Sequence, residues 1–441
     1  MTTLNMLDIK FIRDHQKKIT QAAKNKNIKI NLDQLFRLDE ERRKIQAKVG
    51  EIRNAKNKWA DSFKSKKPSG EELAQGKKIK SDIVSFENEL EEVSREYTKL
   101  LYQLPNIVSD DTPIGPDETG NKVLKKVGDI PKFDFPIKDH MELGRLHKII
   151  DTEKSTAVSG LRFNYLFGEA ALLQFAIVQF VLETLTDQKI ITALAKKTGN
   201  PSAKTFIPVI PPVLAKADIM KKMDRFDPID DRYYLQQDDA LLVGSAEHTM
   251  GPLHLNEIIK AENLPIRYIG YSTAFRREAG AAGKDSTGIL RRHQFDKLEI
   301  ESFTLPEHGL LEQEFIVAVQ EYLVEKLEIP YQVVLKCTGD IGGKADFRAV
   351  DIECYLPGQG KYRETHTADY MTDFQARRLN TKYKTKDGQK DFVHMNDATA
   401  FAIGRTLIAL MENHQQADGS IKIPKALHKY MPGGIKIIKG K

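Results

Sequence analysis

Residues 275–303 read FRREAGAAGKDSTGILRRHQFDKLEIESF, and these side chains are the ones a bound nucleotide needs. Arg276 can neutralise a phosphate. Glu278 can accept hydrogen bonds from an amino group or an adenine. Phe295 offers a flat apolar face for a base. The alternation through Phe295, Leu298 and Ile300 predicts the closing strand of a hairpin, entered through the Gly-rich basic loop that follows Glu278. Such a hairpin can hold a nucleotide by its α-phosphate and its base.

The elements that must position this hairpin follow from the rest of the chain. At 441 residues there is room for two or three domains. A mean hydropathy of −0.45 suits a soluble protein. The longest apolar stretch, from Ala170, is interrupted by Gln174 and Gln179, so a core helix is expected and no membrane span. The N-terminus has neither a signal-peptide nor a transit-peptide pattern, which predicts a cytoplasmic location. Cys337 and Cys354 are too few for a disulfide framework or a Cys-rich zinc site, and the histidines show no metal-ligand spacing, so no zinc is expected. Gly339 to Lys344 has the wrong spacing for a phosphate loop, and Ala345 stands where a hydroxyl is needed.

Charge is segregated. Residues 1–104 hold 23 of the 68 basic and 16 of the 62 acidic residues, a net +7 against +6 for the whole chain. A positive module of this kind is the footprint of a polyanion-binding arm. Leu35, Leu38, Arg42, Ile45, Val49, Ile52, Lys56, Trp59 and Phe63 step by three and four, as do Ile83, Phe86, Leu90, Val93, Tyr97, Leu100 and Leu104. That is the seam of a coiled coil. Pro68 and Gly70 break the pattern between the runs, so the two helices fold back antiparallel. Arg42, Arg43, Lys44, Lys48, Arg53 and Lys56 mark its basic side, which suits shape-led contacts to an RNA duplex. Residues 104–121, rich in Pro, Gly and Asp, read as a linker. Beyond it, short strands without regular βαβ alternation predict a mostly antiparallel sheet, hence an α+β fold.

Residues 275–303 resemble motif 2 of the class II aminoacyl-tRNA synthetases, and of the seryl-tRNA synthetases in particular. TFIPVIPPVL at residues 205–214, with Pro211 and Pro212, is similar to motif 1. AFAIGRTLIALMEN at residues 400–413 is similar to motif 3. The resemblance extends over essentially the whole chain. It implies residues 1–110 as a tRNA-binding helical hairpin and residues 111–441 as a class II catalytic domain, an antiparallel sheet flanked by helices. It also implies activation of L-serine with ATP and transfer to tRNA(Ser), with tRNA(Sec) as a second acceptor compatible with the pattern. Arg276, Arg405 and Glu364 would carry the chemistry. Arg277, Glu278, Phe295, Thr365, His366 and Thr367 would complete the ATP site, with Mg²⁺ held by Glu364 and Thr367. Ser245, Ala246, Glu247, Glu299 and Thr399 would form the serine pocket, in which Glu299 accepts from the substrate hydroxyl. Ser245 and Glu247 would receive the ammonium group or order its surroundings. Motif 1 implies a homodimer.

The sequence departs from the family at Ser245 (usually Thr), at His366, Thr367 and Ala368 (usually Ser-Ser-Cys) and at Asp397 (usually Asn). Two competing readings are weaker. A ligase that loads carrier proteins would lack the long hairpin, and a non-catalytic paralogue would have lost Arg276, Glu278, Glu364 or Arg405.

Overall fold

The computed structural model describes residues 8–64, 67–279 and 288–439. The Gly-rich loop at residues 280–287 and Lys66 lie outside the described residues. The chain divides into two compact units, Ile12–Pro105 and a second made of Asn106–Lys441 with the chain up to Phe11.

In the first unit two long helices dominate, α1 (Leu32–Asp61) and α2 (Gly70–Gln103). Thirty residues at ~1.5 Å each make α1 about 45 Å long. The pairing is antiparallel. Arg42 lies over the Tyr97 ring, Arg53 pairs with Glu87 at 2.6 Å, and Trp59 packs against Gly76. Of the seam, Leu35, Ile45, Val49, Ile83 and Leu104 are buried and the other apolar members are half-buried, as expected when one helix has only one partner. Gly70 opens α2 and does not break it. Ser69 caps the helix by accepting from the Glu72 N–H, while the Glu72 carboxylate accepts from the Ser69 N–H.

A Cβ added to Gly76 would fall 2.5 Å from the Trp59 ring. Gly76→Ala is therefore expected to displace Trp59, the chain's single tryptophan. The emission maximum of intrinsic fluorescence checks this, and an unchanged spectrum would contradict the packing.

The second unit is built on one eight-stranded sheet. Its strands in chain order are β1 (Lys122–Val127), β2 (Ile207–Val209), β3 (Ile266–Phe275), β4 (Gln294–Thr304), β5 (Tyr331–Leu335), β6 (Arg348–Leu356), β7 (Lys361–Thr372) and β8 (His394–Ala402). Across the sheet they run β1-β5-β6-β7-β8-β4-β3-β2, antiparallel except for the β2–β3 pair. Helices α3 (Gly168–Thr186), α4 (Gly309–Lys326) and α5 (Ile403–Asn413) cover one face. Among the described residues α3 alone is long and apolar enough to cross a membrane, and half of it is buried in this core.

Side chains alternate across a strand, and here the alternation separates two chemistries. Leu298, Ile300, Ile352, Ala368 and Ala398 face the helices and join the main core. Glu299, Glu301, Thr367, Asp397 and Thr399 face the other way. In register, Glu299 lies opposite Thr399 and Glu301 opposite Asp397, while Asp397 also lies opposite Asp369 on β7. An irregularity after Leu298 skips Ala400 on β8 and sets this register. From the helix side, the Gln320 amide of α4 donates to the carbonyls of Thr367 and Thr399 and so ties β7 to β8 beneath the polar face.

Candidate active site

The hairpin of β3 and β4 forms as expected, and its mouth is fastened by its own backbone. The Arg276 N–H donates to the His293 carbonyl at 2.9 Å, and a His293 ring nitrogen returns a bond to the Arg276 carbonyl at 2.9 Å. Arg276 then leans over the polar face. Its Nε donates to the Gly244 carbonyl at 3.0 Å, and its guanidinium lies 5.3 Å from the Phe295 ring centre. Arg277 stacks on Tyr233 instead. Glu278 has a positive φ of 54°, and its carboxylate takes Arg291 Nη1 at 2.6 Å. Arg291 is absent from the sequence-based site, although it stands within the same hairpin.

Arg405 lies in the first turn of α5. Its Nη1 donates to the Glu364 carbonyl at 2.7 Å and to Glu364 Oε1 at 2.8 Å. Burial alone would raise the Glu364 carboxyl. The adjacent Arg405 and the nearby Lys336 outweigh it and hold the group down at about 2, so it is ionised. An ionised carboxylate and the Thr367 hydroxyl are hard oxygen donors, which suits Mg²⁺ completed by phosphates and water. Among the described residues no group of three His, Cys, Asp or Glu could hold a metal, so nucleotide phosphates would have to supply part of the shell.

A second cluster occupies the middle of the polar face. Glu299 pairs with Lys297 Nζ at 2.7 Å, and that ammonium also reaches Ser245 Oγ at 3.4 Å. Thr399 Oγ1 lies 3.2 Å from Thr367 Oγ1. Glu247, in a short helix that begins beside Ala246, takes Arg225 Nη2 at 2.8 Å and Gln375 Nε2 at 3.3 Å. Burial raises Glu247, but the Arg225 guanidinium prevails and holds it at about 2. Burial pushes the neighbouring His248 down to about 3, so its ring is neutral and its Nδ1 accepts from the Gly244 N–H. The structure thus brings Ser245, Ala246, Glu247, Glu299 and Thr399 together. It adds Lys297, Arg225 and Gln375, which sequence reasoning missed. Lys297 could have been found, because it is two residues from Glu299 on an alternating strand. Arg225 carries no such signal.

The whole chain can be set against known proteins. The profile of the seryl-tRNA synthetase N-terminal domain matches residues 6–108, and that of the class II core domain for G, H, P, S and T synthetases matches residues 232–414. A serine–tRNA ligase of Nitrosopumilus maritimus is 35 % identical over 97 % of this chain and 99 % of its own length. One from Treponema denticola is 38 % identical over 96 % and 98 %. A seryl-tRNA synthetase of Pyrococcus horikoshii, solved in complex with ATP, superposes with a TM-score of 0.83 at 34 % identity, covering 99 % of this chain and 100 % of that one. The chain belongs to the seryl-tRNA synthetase family.

Two residues expected in the ATP site of this synthetase lie elsewhere. β7 is irregular between Glu364 and His366. Thr365 turns inward to bond the Ile352 carbonyl and Cys354 Sγ, and His366 packs on Phe401 with a centroid separation of 4.9 Å. Burial lowers His366 to about 3, so it is a neutral core side chain. The departure from the family at His366 therefore does not reach the pocket, whereas that at Thr367 does.

On the arm of the synthetase, three arginines, Arg13, Arg42 and Arg43, converge on the buried Asp39, each at 3.1 Å. Lys48 pairs with Glu51, and Arg53 with Glu87. Lys44 and Lys56 are exposed and form no ion pair among the described residues. Part of the basic side is therefore already neutralised within the hairpin.

Beside the Glu299–Thr399 pair, Glu301, Asp397 and Asp369 form a row of three carboxyls on adjacent strands. Arg225 is paired with Glu247, and among the described residues no ion pair reaches the row. Burial first, and then Glu247 and the neighbouring acids, push Glu301 and Asp397 well above the usual carboxylate range. Asp397 is thus a protonated acid that can donate to Glu247. An acid whose folded-state value is raised stabilises the fold below its unfolded value near pH 4, and that contribution is lost as pH rises through the folded value. Asp397→Asn keeps a donor without a titrating proton. The variant should therefore gain stability relative to the parent as pH is raised from about 5 to about 9. Thermal melts across that range check this, and a constant gap would show Asp397 to be ionised throughout.

Proposed function

We propose that this synthetase activates L-serine with ATP, releasing pyrophosphate, and transfers the seryl group from the adenylate to the 3′-terminal adenosine of tRNA(Ser), releasing AMP. The observation that carries this reading is a buried carboxylate and hydroxyl, Glu299 and Thr399, set opposite each other on neighbouring strands, with the Arg276 charge near enough to act on Glu299. The first step is in-line attack of the serine carboxylate on the α-phosphorus. It needs charge neutralisation and positioning more than a proton acceptor. Arg276 would hold the α-phosphate and the attacking carboxylate. Phe295 would carry the adenine, with Glu278 accepting from its amino group and Arg277 bordering the phosphates. Arg405 would exchange Glu364 for the γ-phosphate. Mg²⁺ held by Glu364 and Thr367 would neutralise phosphate charge during displacement.

Glu299, with Thr399, would accept from the serine hydroxyl, after Lys297 moves aside or shares the carboxylate. Ser245 and Glu247 would receive the ammonium group or order its surroundings. A polar pocket of this kind rejects alanine because the missing hydroxyl leaves buried groups unpaired.

Residues 1–110 would act as the tRNA-binding arm and residues 111–441 as the catalytic domain, in the cytoplasm. Lys44 and Lys56 would be the most available phosphate contacts, with Arg42, Arg43, Lys48 and Arg53 in support. A homodimer is supported by an apolar surface beside the edge strand β2, where Ile207, Phe175 and Ile210 are exposed, the last by 91 %.

Amino-acid-dependent ATP–pyrophosphate exchange with serine, threonine, alanine, cysteine and glycine tests the assignment. Serine alone should support exchange. Glu299→Ala should lower kcat/KM for serine by about 10²-fold, with the KM for ATP little changed. Equal losses for both substrates would refute the pocket role. Affinity for tRNA(Ser) should fall steeply between about 50 and 200 mM salt, and Lys44→Ala with Lys56→Ala should flatten that slope by about two phosphate contacts. An unchanged slope would remove these lysines from the interface.

A further inference from the structure

His140 is a buried histidine that the proposed chemistry leaves unused, yet both of its ring nitrogens have partners. It opens a short helix (His140–Leu146) and is gripped twice by Glu412 in the last turn of α5. Glu412 Oε1 accepts from the His140 N–H at 3.0 Å and meets ring Nδ1 at 2.9 Å. The other carboxylate oxygen accepts from the Gly358 N–H at 2.9 Å, so Glu412 is itself held at both oxygens. On the far side of the ring, Nε2 accepts from the Ile289 N–H at 3.3 Å. A backbone N–H only donates, so the ring proton sits on Nδ1 and points at the carboxylate. Position, orientation and tautomer of the ring are thereby fixed.

Ile289 lies on the return limb of the nucleotide hairpin and is held at three points. Its side chain joins the main core, its N–H meets His140, and its carbonyl lies against Gly404, where an added Cβ would stand 3.1 Å away. The limb is thus tied to the first turn of α5 directly and to the last turn through His140 and Glu412. The backbone enters Ile289 from Gly288, at φ 78°, where a Cβ would fall 2.1 Å from His140 Nε2. Further along, the limb carries Arg291, which pairs with Glu278, and His293, whose carbonyl accepts the Arg276 N–H. Displacement of Ile289 would therefore reach both Arg276 and Glu278. Apolar burial of the Ile289 side chain has no direction, whereas the bond to Nε2 fixes the path of the backbone.

We propose that His140 is a positioning residue of the ATP site. Oriented by Glu412, it holds the return limb so that Arg276 and Glu278 meet the nucleotide in step with Arg405, the neighbour of Gly404. This rests on the assignment of the hairpin to ATP.

The test measures ATP binding to the full chain by calorimetry, with Mg²⁺ and no amino acid, so that it does not depend on which amino acid is activated. KM values come from pyrophosphate exchange with serine. His140→Asn keeps a donor near the place of Nδ1 and is too short to reach Ile289, whereas His140→Gln puts an oxygen near the place of Nε2. His140→Asn should weaken ATP about tenfold in both Kd and KM and leave the KM for serine within about twofold, the loss expected of one hydrogen bond to a buried amide. His140→Gln should recover most of that loss. If the Asn variant does not fold, Gly288→Ala, which drives the ring off Ile289, carries the test with the same expected loss. Unchanged ATP affinity with a lower melting temperature would make His140 a structural residue only and overturn the proposal. Equal weakening in the Asn and Gln variants would overturn it too. Failure of the parent to bind ATP would refute the assignment of the hairpin, and the proposal with it.

Discussion

The period-two alternation of β4 is the constraint on which the rest of the site depends. Leu298 and Ile300 must be buried against α3, α4 and α5 for the sheet to have a core, and that requirement points Lys297, Glu299 and Glu301 to the opposite face. A slip of one residue would exchange the two sets and bury charge among the helices. Register with β7 and β8 then places Thr367, Asp397 and Thr399 beside them without further cause. The core therefore fixes the polar cluster of Glu299, Thr367 and Thr399, and the Gln320 bonds to β7 and β8 reinforce the same register from below.

Four ion pairs balance charge across the candidate site: Arg405 with Glu364, Arg291 with Glu278, Lys297 with Glu299, and Arg225 with Glu247. In each pair one member is also a group expected to meet substrate. Breaking a buried pair without replacement is strongly unfavourable, so substrate must offer an equivalent charge or donor to each group it releases. On the proposed reading, phosphates would do so for Arg405, the serine hydroxyl for Glu299 and the ammonium group for Glu247. A pocket that opens only by exchange discriminates against molecules lacking the matching groups. At Glu301 and Asp397, which form no ion pair among the described residues, burial and the neighbouring acids favour the protonated form instead.

The nucleotide hairpin was legible because Arg276, Glu278 and Phe295 lie close together in a segment whose alternation is itself a structural signal. The arm was legible for a similar reason, since its three-and-four spacing runs through both helices. Less legible were contacts made by residues far apart in sequence or in irregular backbone. Arg225 sits just after a short helix and meets Glu247 only through tertiary packing. Gln375 reaches the same carboxylate from a helix that follows β7. His366 and Thr365 sit beside Glu364 in sequence, yet a local irregularity of the strand turns them into the core.

The sequence alone determined the α+β class and the basic hairpin, and it offered candidates for neutralising phosphate and binding a hydroxyl, because periodicity and side-chain type are local properties. Tertiary structure decided which of those residues face one another and in what protonation state. Register across β4, β7 and β8 is set by burial of the opposite face. The charge on each carboxyl is set by whether a cation such as Arg225 or Lys297 packs beside it, and neither can be read along a single strand.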